Sequence, residues 1–355
     1  MKNKKLYDDA VRLLRMLISK PSFSREESET AHILATDMQS MGIEGVHMSG
    51  NNVWACNRHY DPSKPTILLC SHHDTVKPNP GYTRDPFNAE ITEDGRLYGL
   101  GSNDAGGCLT ALAATFRHYY DRTDLKYNLC LALVAEEEIS GAGGIRSILP
   151  ELGPLEFAIV GEPTGMNLAV AEKGLLVLDC VAHGRPGHAA RDEGDNAILR
   201  AVKDIEWLRD YRFPLRSELF GEVKMSVTMI SAGTQHNVVP AECRFTVDVR
   251  VTEKYTNEEV LETVRANVGS EVTPRSMHLK PSCITPEHPV VEAGIALGRK
   301  TFGSPTTSDQ VALDIPSVKI GPGESSRSHN ADEYVLLSEI EEGIDLYIEL
   351  LGKIL

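Results

Sequence analysis

Several apolar, strand-like runs of this sequence end in histidines or carboxylates that core packing does not need. These polar ends are His72–Asp74 after "TILLCS", Glu136–Glu138 after "NLCLALVA", Glu162 after "FAIVG" and His329 after "SVKIGPG". Asp104 lies in the glycine-bracketed loop "GLGSNDAGG". Taken alone, a histidine at a strand end is more often an ordinary core or surface residue, and "EEE" is more often a solvated turn. The interpretation therefore depends on whether these strand ends meet.

The order of the predicted elements indicates that these strand ends meet at one edge of a sheet. Strand-like runs alternate with a helix from about Gly107 to Tyr120 and a short helix near Ile145, a pattern typical of a largely parallel sheet with helices on its faces. The C-terminal ends of parallel strands meet at one edge. Carboxylates gathered there would repel one another unless a cation held them. Imidazole and carboxylate ligands without thiolates favour zinc, with cobalt or manganese as alternatives.

The N-terminal segment predicts two helices. Apolar residues recur at helical spacing from Leu6 to Leu17, and Pro21 ends that helix. The stretch "SREE", Ser24–Glu27, predicts a capping box for a second helix that Gly42 stops.

The pattern of elements changes from about Lys173. A strand, a helix (196–211), two strands, a helix (256–268) and a last strand, "RSMHLKPS", follow in the order βαββαβ. A helix from about His288, the strand "SVKIGPG" and a final helix then resume the first pattern. We therefore expect a small domain, residues 173–283, inserted into a larger α/β domain made of residues 1–172 and 284–355.

Composition excludes some classes of binding partner and favours one cellular compartment. The net charge of −15 opposes binding to nucleic acid or to anionic membranes. Seven cysteines are scattered without a CxxC pair, which favours reduced thiols and a cytoplasmic protein. Charges interrupt the apolar residues of "MKNKKLYDDAVRLLRMLISK", so it predicts neither a signal peptide nor a membrane span.

Eight ordered motifs resemble the dizinc aminoacylase and carboxypeptidase family, peptidase family M20. They are "SHHDTV", "GLGSNDAGG", "AEEEISGAGG", "GEPT", "GRPGHAA", "NVVPA", "TTSD" and "SHNADEY". The chain is most similar to the acetylornithine deacetylase and succinyl-diaminopimelate desuccinylase branch. The resemblance implies a zinc-peptidase-like catalytic domain and a ferredoxin-like inserted domain that acts as lid and dimerisation domain of a homodimer.

The resemblance also implies a set of metal ligands for two Zn²⁺ ions per chain, with Co²⁺ as a substitute. His72 and Glu162 would bind one ion, Glu138 and His329 the other, and Asp104 would bridge them. This arrangement leaves coordination positions open for water, as in catalytic rather than structural sites.

Catalytic roles follow from the same resemblance. Glu137 would be the general base that takes a proton from water and passes it to the leaving amine. Asp74 would accept a hydrogen bond from the ring nitrogen of His72 that does not bind metal, which fixes the tautomer of that histidine. This register aligns "EEE" with the family's "DEE", so that Glu136 replaces the aspartate.

The inserted domain would supply residues that contact the substrate. His188 in "RPGHAA" resembles the family histidine that steadies the oxyanion, reaching across from the partner subunit. Asn237 in "NVVP", Arg250 in "DVR" and Thr307 in "TTSD" resemble substrate-binding positions. An arginine suits a substrate carboxylate, yet Arg250 could equally be a surface charge on a strand.

Some positions depart from the family pattern. Ser71 replaces a glycine before the first histidine, and Ala105 follows Asp104 where many members have "MKGG", but no ligand is lost. Gln310 and Val311 follow "TTSD" where desuccinylases tend to have "GR". The missing arginine removes a candidate clamp for a succinyl carboxylate.

The resulting functional prediction is a metal-dependent amidohydrolase that removes the acyl group from a small N-acyl amino acid. N-acetylornithine on the route to arginine is the preferred substrate. The alternatives are N-succinylornithine or succinyl-diaminopimelate deacylation and dipeptide cleavage. A non-catalytic metal-binding protein on the same fold is an alternative of a different class, but it would have no use for an unliganded Glu137.

Overall fold

The structure is a computed structural model that describes residues 3–191 and 193–355. The chain separates into two compact units. The first comprises Met1–Val170, Cys283–Phe302 and Ser308–Leu355, and the second comprises Ala171–Ser282 and Gly303–Thr307.

Helices and strands alternate through both units. The helices are α1 (Lys4–Ile18), α2 (Ser28–Ser40), α3 (Gly107–Tyr119), α4 (Ile145–Ile148), α5 (Ala197–Asp210), α6 (Asn257–Asn267), α7 (Pro289–Ala296) and α8 (Leu337–Gly352). The strands are β1 (His47–Ser49), β2 (Asn52–Cys56), β3 (Thr66–His72), β4 (Arg96–Tyr98), β5 (Asn128–Val134), β6 (Phe157–Val160), β7 (Leu168–Glu172), β8 (Gly174–His183), β9 (Gly187–His188), β10 (Lys224–Ala232), β11 (Val238–Val239), β12 (Glu242–Val251), β13 (Glu271–Pro274), β14 (Ser282–Cys283), β15 (Thr301–Ser304), β16 (Ser317–Lys319) and β17 (Tyr334–Leu336).

The main sheet has the strand order β1-β2-β5-β3-β6-β16-β7-β14, with β15 paired to β7. Its centre is parallel, because β5, β3, β6 and β16 pair in parallel with one another in that order. The pairs β1–β2, β2–β5 and β16–β7 are antiparallel. Strands β3 and β5 are buried along their whole length, which explains their continuous apolar sequences. The predicted α/β fold class with a largely parallel sheet is confirmed.

Helices cover both faces of this sheet. Leu14 of α1, Leu34 of α2, Leu112 of α3 and Tyr347 of α8 belong to the apolar cluster on one face. Short α4 covers the opposite face, where its residues pack with Leu68 and Trp54. Strands β4 and β17 form a separate antiparallel pair, although they are far apart in the chain. Their pairing brings the segment after β4 beside the segment before β17. That pairing positions part of the candidate site.

The second helix begins differently from the prediction. Ser24 and Glu27 form no capping box, since α2 starts at Ser28 without a side-chain cap. The Ser24 hydroxyl instead donates to Asp74 Oδ2 at 2.7 Å, and the Glu27 carboxylate accepts from the Arg25 amide at 2.6 Å. The predicted stop is present, because Gly42 follows α2 with the positive φ of 81° that glycine adopts without strain.

The second unit contains a four-stranded antiparallel sheet in the order β10-β12-β8-β13. With α5 and α6 its element order is βαββαβ. The position predicted for the last strand, "RSMHLKPS", is wrong, because the strand that completes the sheet is β13, Glu271–Pro274, just before that stretch. The Met277 and Leu279 carbonyls accept bonds from Asn257 Nδ2, so a side chain takes the place of a strand partner. The role of this unit as lid and dimerisation domain stays a prediction.

Candidate active site

The predicted ligands of the first unit lie on segments that follow the sheet strands. His72 ends β3, Glu137 and Glu138 lie on a short 3₁₀ turn after β5, and Glu162 lies just after β6. Six side chains form two groups in which the potential ligand atoms all lie within 4.8 Å of one another. The groups are His72, Glu137 and Glu162, and Asp104, Glu138 and His329. Four carboxylates and two imidazoles therefore converge.

Asp104 lies between the two histidines. Its Oδ1 is 3.4 Å from His72 Nε2, and its Oδ2 is 3.5 Å from His329 Nε2. Glu162 Oε1 lies 3.5 Å from His72 Nε2, and Glu138 Oε2 lies 2.9 Å from His329 Nε2. His329 thus has Glu138 and one oxygen of Asp104, whereas His72 has Glu162, the other oxygen of Asp104 and, at 3.9 Å, Glu137 Oε2. This is the arrangement that a bridging carboxylate requires.

The orientation of His72 suits a metal ligand. Its Nδ1 lies 3.0 Å from the Asp74 backbone oxygen, which accepts the proton on that nitrogen. Its Nε2 is buried and has no hydrogen-bond partner among the described residues. A buried ring nitrogen without a partner is costly unless a cation takes its lone pair. The donor set of this site therefore fits divalent metal ions.

Asp74 holds the turn that carries Glu137 and Glu138. The Asp74 carboxylate is fully buried and accepts the Glu137 amide at 3.0 Å and the Glu138 amide at 3.1 Å. Ser24 supplies a third bond. Burial raises the pKa of Asp74, but the bonds from His72, Ser24 and Glu137 outweigh it, so the pKa lies below its usual range. The Asp74 carboxylate thus positions both glutamates, while its backbone oxygen makes the shorter contact with His72.

Glu136 turns away from the two ligand groups. It has a left-handed backbone with φ of 56°, and its carboxylate accepts the Gly143 amide at 3.2 Å. A Cβ at Gly141 would lie 2.0 Å from Glu136 Oε2, and one at Gly143 would lie 2.4 Å from Oε1. The glycines of "SGAGG" therefore leave room for the Glu136 carboxylate, which ties the loop together.

Burial and neighbouring charges strongly perturb the pKa values of Glu137 and His329 in this cluster. Burial raises the pKa of Glu137 well above its usual range; His72 opposes the shift, and Glu162, Asp309 and Glu138 add to it. The hydrogen bond that His329 donates to the Glu138 carboxylate raises the pKa of His329 to about 9. A bound cation would act against both protons, because positive charge favours the carboxylate and competes for the imidazole nitrogen.

Two residues near Asp104 were not identified from the sequence. Glu333 is 3% exposed, and its carboxylate accepts the backbone amides of Gly101 at 3.0 Å and of Asn103 and Asp104 at 2.8 Å each. Asn103 donates to the Glu324 carbonyl and accepts the Glu324 amide. These contacts fix the loop of Asp104 against the segments on both sides of His329. The only sequence signal was the position of Glu333 in "NADEY", which does not reveal what it binds.

Four predicted residues lie in the second unit. His188 lies opposite Val238 in the β9–β11 pair, and one residue further the Ala189 amide donates to the Asn237 carbonyl at 2.9 Å. Arg250 on β12 forms a two-point contact with Asp248 at 2.9 and 3.1 Å, so its guanidinium already has a carboxylate partner. Thr307 lies in the Gly303–Thr307 segment. Their roles stay predictions.

Among the described residues, no helix combines the length and the apolar character needed to cross a membrane.

Comparisons with known proteins agree with the site. The model of Peptidase family M20/M25/M40 matches residues 68–353. The chain is 24% identical to succinyl-diaminopimelate desuccinylase of Acidiphilium cryptum, covering 98% of both chains. It is 28% identical to acetylornithine deacetylase of Proteus mirabilis, covering 96% of this chain and 95% of that one.

Solved structures show the same fold. The M20 family metallo-carboxypeptidase Sso-CP2 of Sulfolobus solfataricus matches with a TM-score of 0.72 at 19% identity, covering 98% of this chain and 99% of that one. The YXEP protein of Bacillus subtilis, a dinuclear metal binding peptidase, gives the same score and identity, covering 99% and 98%. The chain belongs to peptidase family M20/M25/M40. It is an amide-bond hydrolase of that family.

Proposed function

We propose that this protein is a metal-dependent deacylase of N-acyl amino acids, with N-acetylornithine as the preferred substrate. The observation that carries the proposal is the Asp104 carboxylate between His72 and His329, with Glu137 as a further carboxylate in the first group. A protein that only binds metal has no need of a further half-buried carboxylate there.

The proposed ligands are His72 and Glu162 for one Zn²⁺, Glu138 and His329 for the other, and Asp104 for both, with Co²⁺ as a substitute. When bound, two such ions polarise an amide carbonyl and lower the pKa of an attacking water. The buried Nε2 of His72 and the carboxylates around it support this assignment.

Glu137 is the proposed general base. Its backbone amide donates to Asp74, and its Oε2 lies 3.9 Å from His72 Nε2, so the carboxylate lies within reach of a water bound at the first group. It accepts a proton from water and donates that proton to the leaving nitrogen, so the free amine can depart. His188 is the proposed donor to the oxyanion, supplied by the partner subunit of a homodimer.

The preference for an acetyl group rests on the segment after "TTSD". Gln310 is 1% exposed and donates from Nε2 to Ser317 Oγ at 3.0 Å, and Val311 is buried and apolar. Neither side chain offers a cation for the second carboxylate of a succinyl group. Relatives named as desuccinylase and as acetylornithine deacetylase have similarly low identity, so the names alone do not decide the substrate.

The proposal includes a cytoplasmic location and small-molecule substrates only. Its seven cysteines are free thiols, which suits a reducing compartment. The charge of −15 disfavours polyanionic partners.

Release of the free amino acid tests the proposal directly. Zinc-loaded protein is assayed with N-acetylornithine, N-succinylornithine, succinyl-diaminopimelate and a panel of dipeptides, with Glu137→Gln as the control for contaminating hydrolases. We expect the highest kcat/KM with N-acetylornithine. A higher kcat/KM with a succinyl compound would reject the preference for an acetyl group but would still support deacylase activity. Preference for dipeptides would make the protein a peptidase, and metal binding without turnover of any amide would reject catalysis.

A further inference from the structure

Cys56 and Cys130 are directly opposite each other on the antiparallel strands β2 and β5. The next pair, Asn57 and Leu129, is joined by a bond from the Asn57 amide to the Leu129 carbonyl at 2.9 Å. Because hydrogen-bonded and non-hydrogen-bonded pairs alternate, the two cysteines form a non-hydrogen-bonded pair. Such pairs have Cα atoms about 4.5 Å apart, within the range of about 4.4–6.8 Å that a disulfide spans.

The two thiols are neighbours on one face of the sheet. Both side chains lie on the sheet face that packs around Leu68 and Ala132. Cys130 is fully buried, whereas Cys56 is partly exposed.

The contact also makes the two sulfurs chemically different. The bond from Cys130 lowers the pKa of Cys56, although burial opposes this shift. The same contact, followed by burial, raises the pKa of Cys130 well above its usual range. The more accessible sulfur is therefore the one with more thiolate character, which is the attacking species in thiol oxidation.

A second pair of cysteines in the chain provides a contrast. Cys180 and Cys243 are also buried on adjacent antiparallel strands, β8 and β12, but Cys180 faces Phe245 and Cys243 faces Ala182. They are diagonal neighbours, whose Cβ atoms are about 7–8 Å or somewhat less apart. A disulfide needs Cβ atoms about 3.5–4.5 Å apart. Register therefore separates a pair that can be bridged from one that cannot.

We propose that Cys56 and Cys130 form a redox-sensitive modification site that hydrogen peroxide converts to a reversible cross-strand disulfide. The Cys56 thiolate attacks one peroxide oxygen, the O–O bond breaks, and the sulfur becomes a sulfenic acid while the leaving hydroxide is protonated to water. The Cys130 sulfur then attacks the Cys56 sulfur, the S–O bond breaks, and a second water leaves. Two thiols and one peroxide thus give one disulfide and two waters. This site is independent of the proposed substrate.

Mass spectrometry of the intact enzyme after graded peroxide treatment tests the site. Free thiols are blocked with N-ethylmaleimide before digestion without reductant. We expect a cross-linked pair of peptides containing Cys56 and Cys130, which disappears after dithiothreitol, and no link between Cys180 and Cys243. A dominant link from either residue to Cys70, or oxidation of Cys56 without any link, would overturn the proposal.

Two variants separate the roles of the sulfurs. Cys130→Ala should leave Cys56 as a sulfenic acid that dimedone traps, since the resolving thiol is gone. Cys56→Ser should leave Cys130 unreacted at the same dose, because it is buried. If Cys130 reacts first in Cys56→Ser, the assignment of the attacking thiol is wrong. The unsubstituted enzyme decides the disulfide itself, so the test does not depend on how well the variants fold.

Discussion

Glu137 and Glu138 are neighbours in sequence but have different tasks in the proposed mechanism. Both backbone amides bind Asp74, yet only the Glu138 side chain contacts His329. The sequence could place three glutamates at one strand end but could not orient them, because orientation depends on the left-handed backbone of Glu136 and on the glycines that accommodate it. The family resemblance supplied the register that periodicity could not.

Matched amide substitutions separate a base from a ligand. Glu137→Gln should retain both metals but lower kcat by about 10²–10⁴-fold, because the proton acceptor is lost. Glu138→Gln should lose metal as well as activity. Metal content per chain, measured by atomic emission, is read beside kcat. Loss of metal from Glu137→Gln with retention in Glu138→Gln would shift the assignment by one residue.

Ser24 is the residue whose role the sequence misrepresented. It was predicted to cap α2, but its hydroxyl completes the bonding of the buried Asp74 carboxylate. The identity of the side chain could not distinguish a helix cap from a bond to Asp74, because both roles use the same hydroxyl group. The choice depends on a residue 50 positions away in the chain.

Ser24→Ala should lower the free energy of unfolding by about 1.5–3 kcal/mol, the usual worth of a hydrogen bond to a charged group. Ser63→Ala is the matched control, because Ser63 Oγ donates to Asp61 Oδ1 at the same 2.7 Å on the surface. There we expect a change within about 0.5 kcal/mol. Urea unfolding of both variants gives the comparison, and equal losses would show that burial of the Asp74 bond is unimportant.

At the scale of elements, the strands were easier to predict than the loops between them. Continuous apolar runs identified β3, β5 and β6, because strands buried on both faces leave that signature. The loop of Asp104 carries no comparable pattern. Its geometry depends on Glu333, more than 200 positions away in the chain, whose carboxylate replaces missing backbone partners. Such a bond leaves no trace in local periodicity.

Glu333→Gln should weaken metal binding while the helical content of the enzyme is kept. An amide presents one acceptor oxygen and two donors, so it cannot accept the Gly101, Asn103 and Asp104 amides as the carboxylate does. Loss of a partner behind a ligand typically costs about 10–100-fold in metal affinity. Competition titration with a chromophoric chelator measures it.

Glu349→Gln on the exposed side of α8 is the control for removal of one negative charge, and it should leave the affinity unchanged. The visible spectrum of the Co²⁺ form provides a second readout, because a displaced Asp104 changes the coordination geometry. Unchanged affinity and spectrum in Glu333→Gln would show that the loop keeps its conformation without the carboxylate.

At the scale of the whole molecule, the hydrophobic pattern predicted the α/β fold class, whereas the homodimer was implied only by the family resemblance. The change from alternating strands and helices to βαββαβ is visible in one chain, because each element leaves its own hydrophobic period. Contacts between chains leave no such period. Whether the second unit supplies His188 to a partner's site is therefore a question for experiment.

If His188 donates to the oxyanion in a partner's site, His188→Ala should lower kcat by about 10²–10³-fold with metal content unchanged. A dimer of one Glu137→Gln chain and one His188→Ala chain then has one site with both defects and one with neither. After subunit exchange of an equal mixture, half of the dimers are mixed, so about a quarter of all sites should be active. The control mixture, Glu137→Gln with Glu138→Gln, has both substitutions in the first unit and should recover nothing. Exchange verified by mass labelling without recovery in the test mixture would mean that His188 acts in its own chain or has no catalytic role.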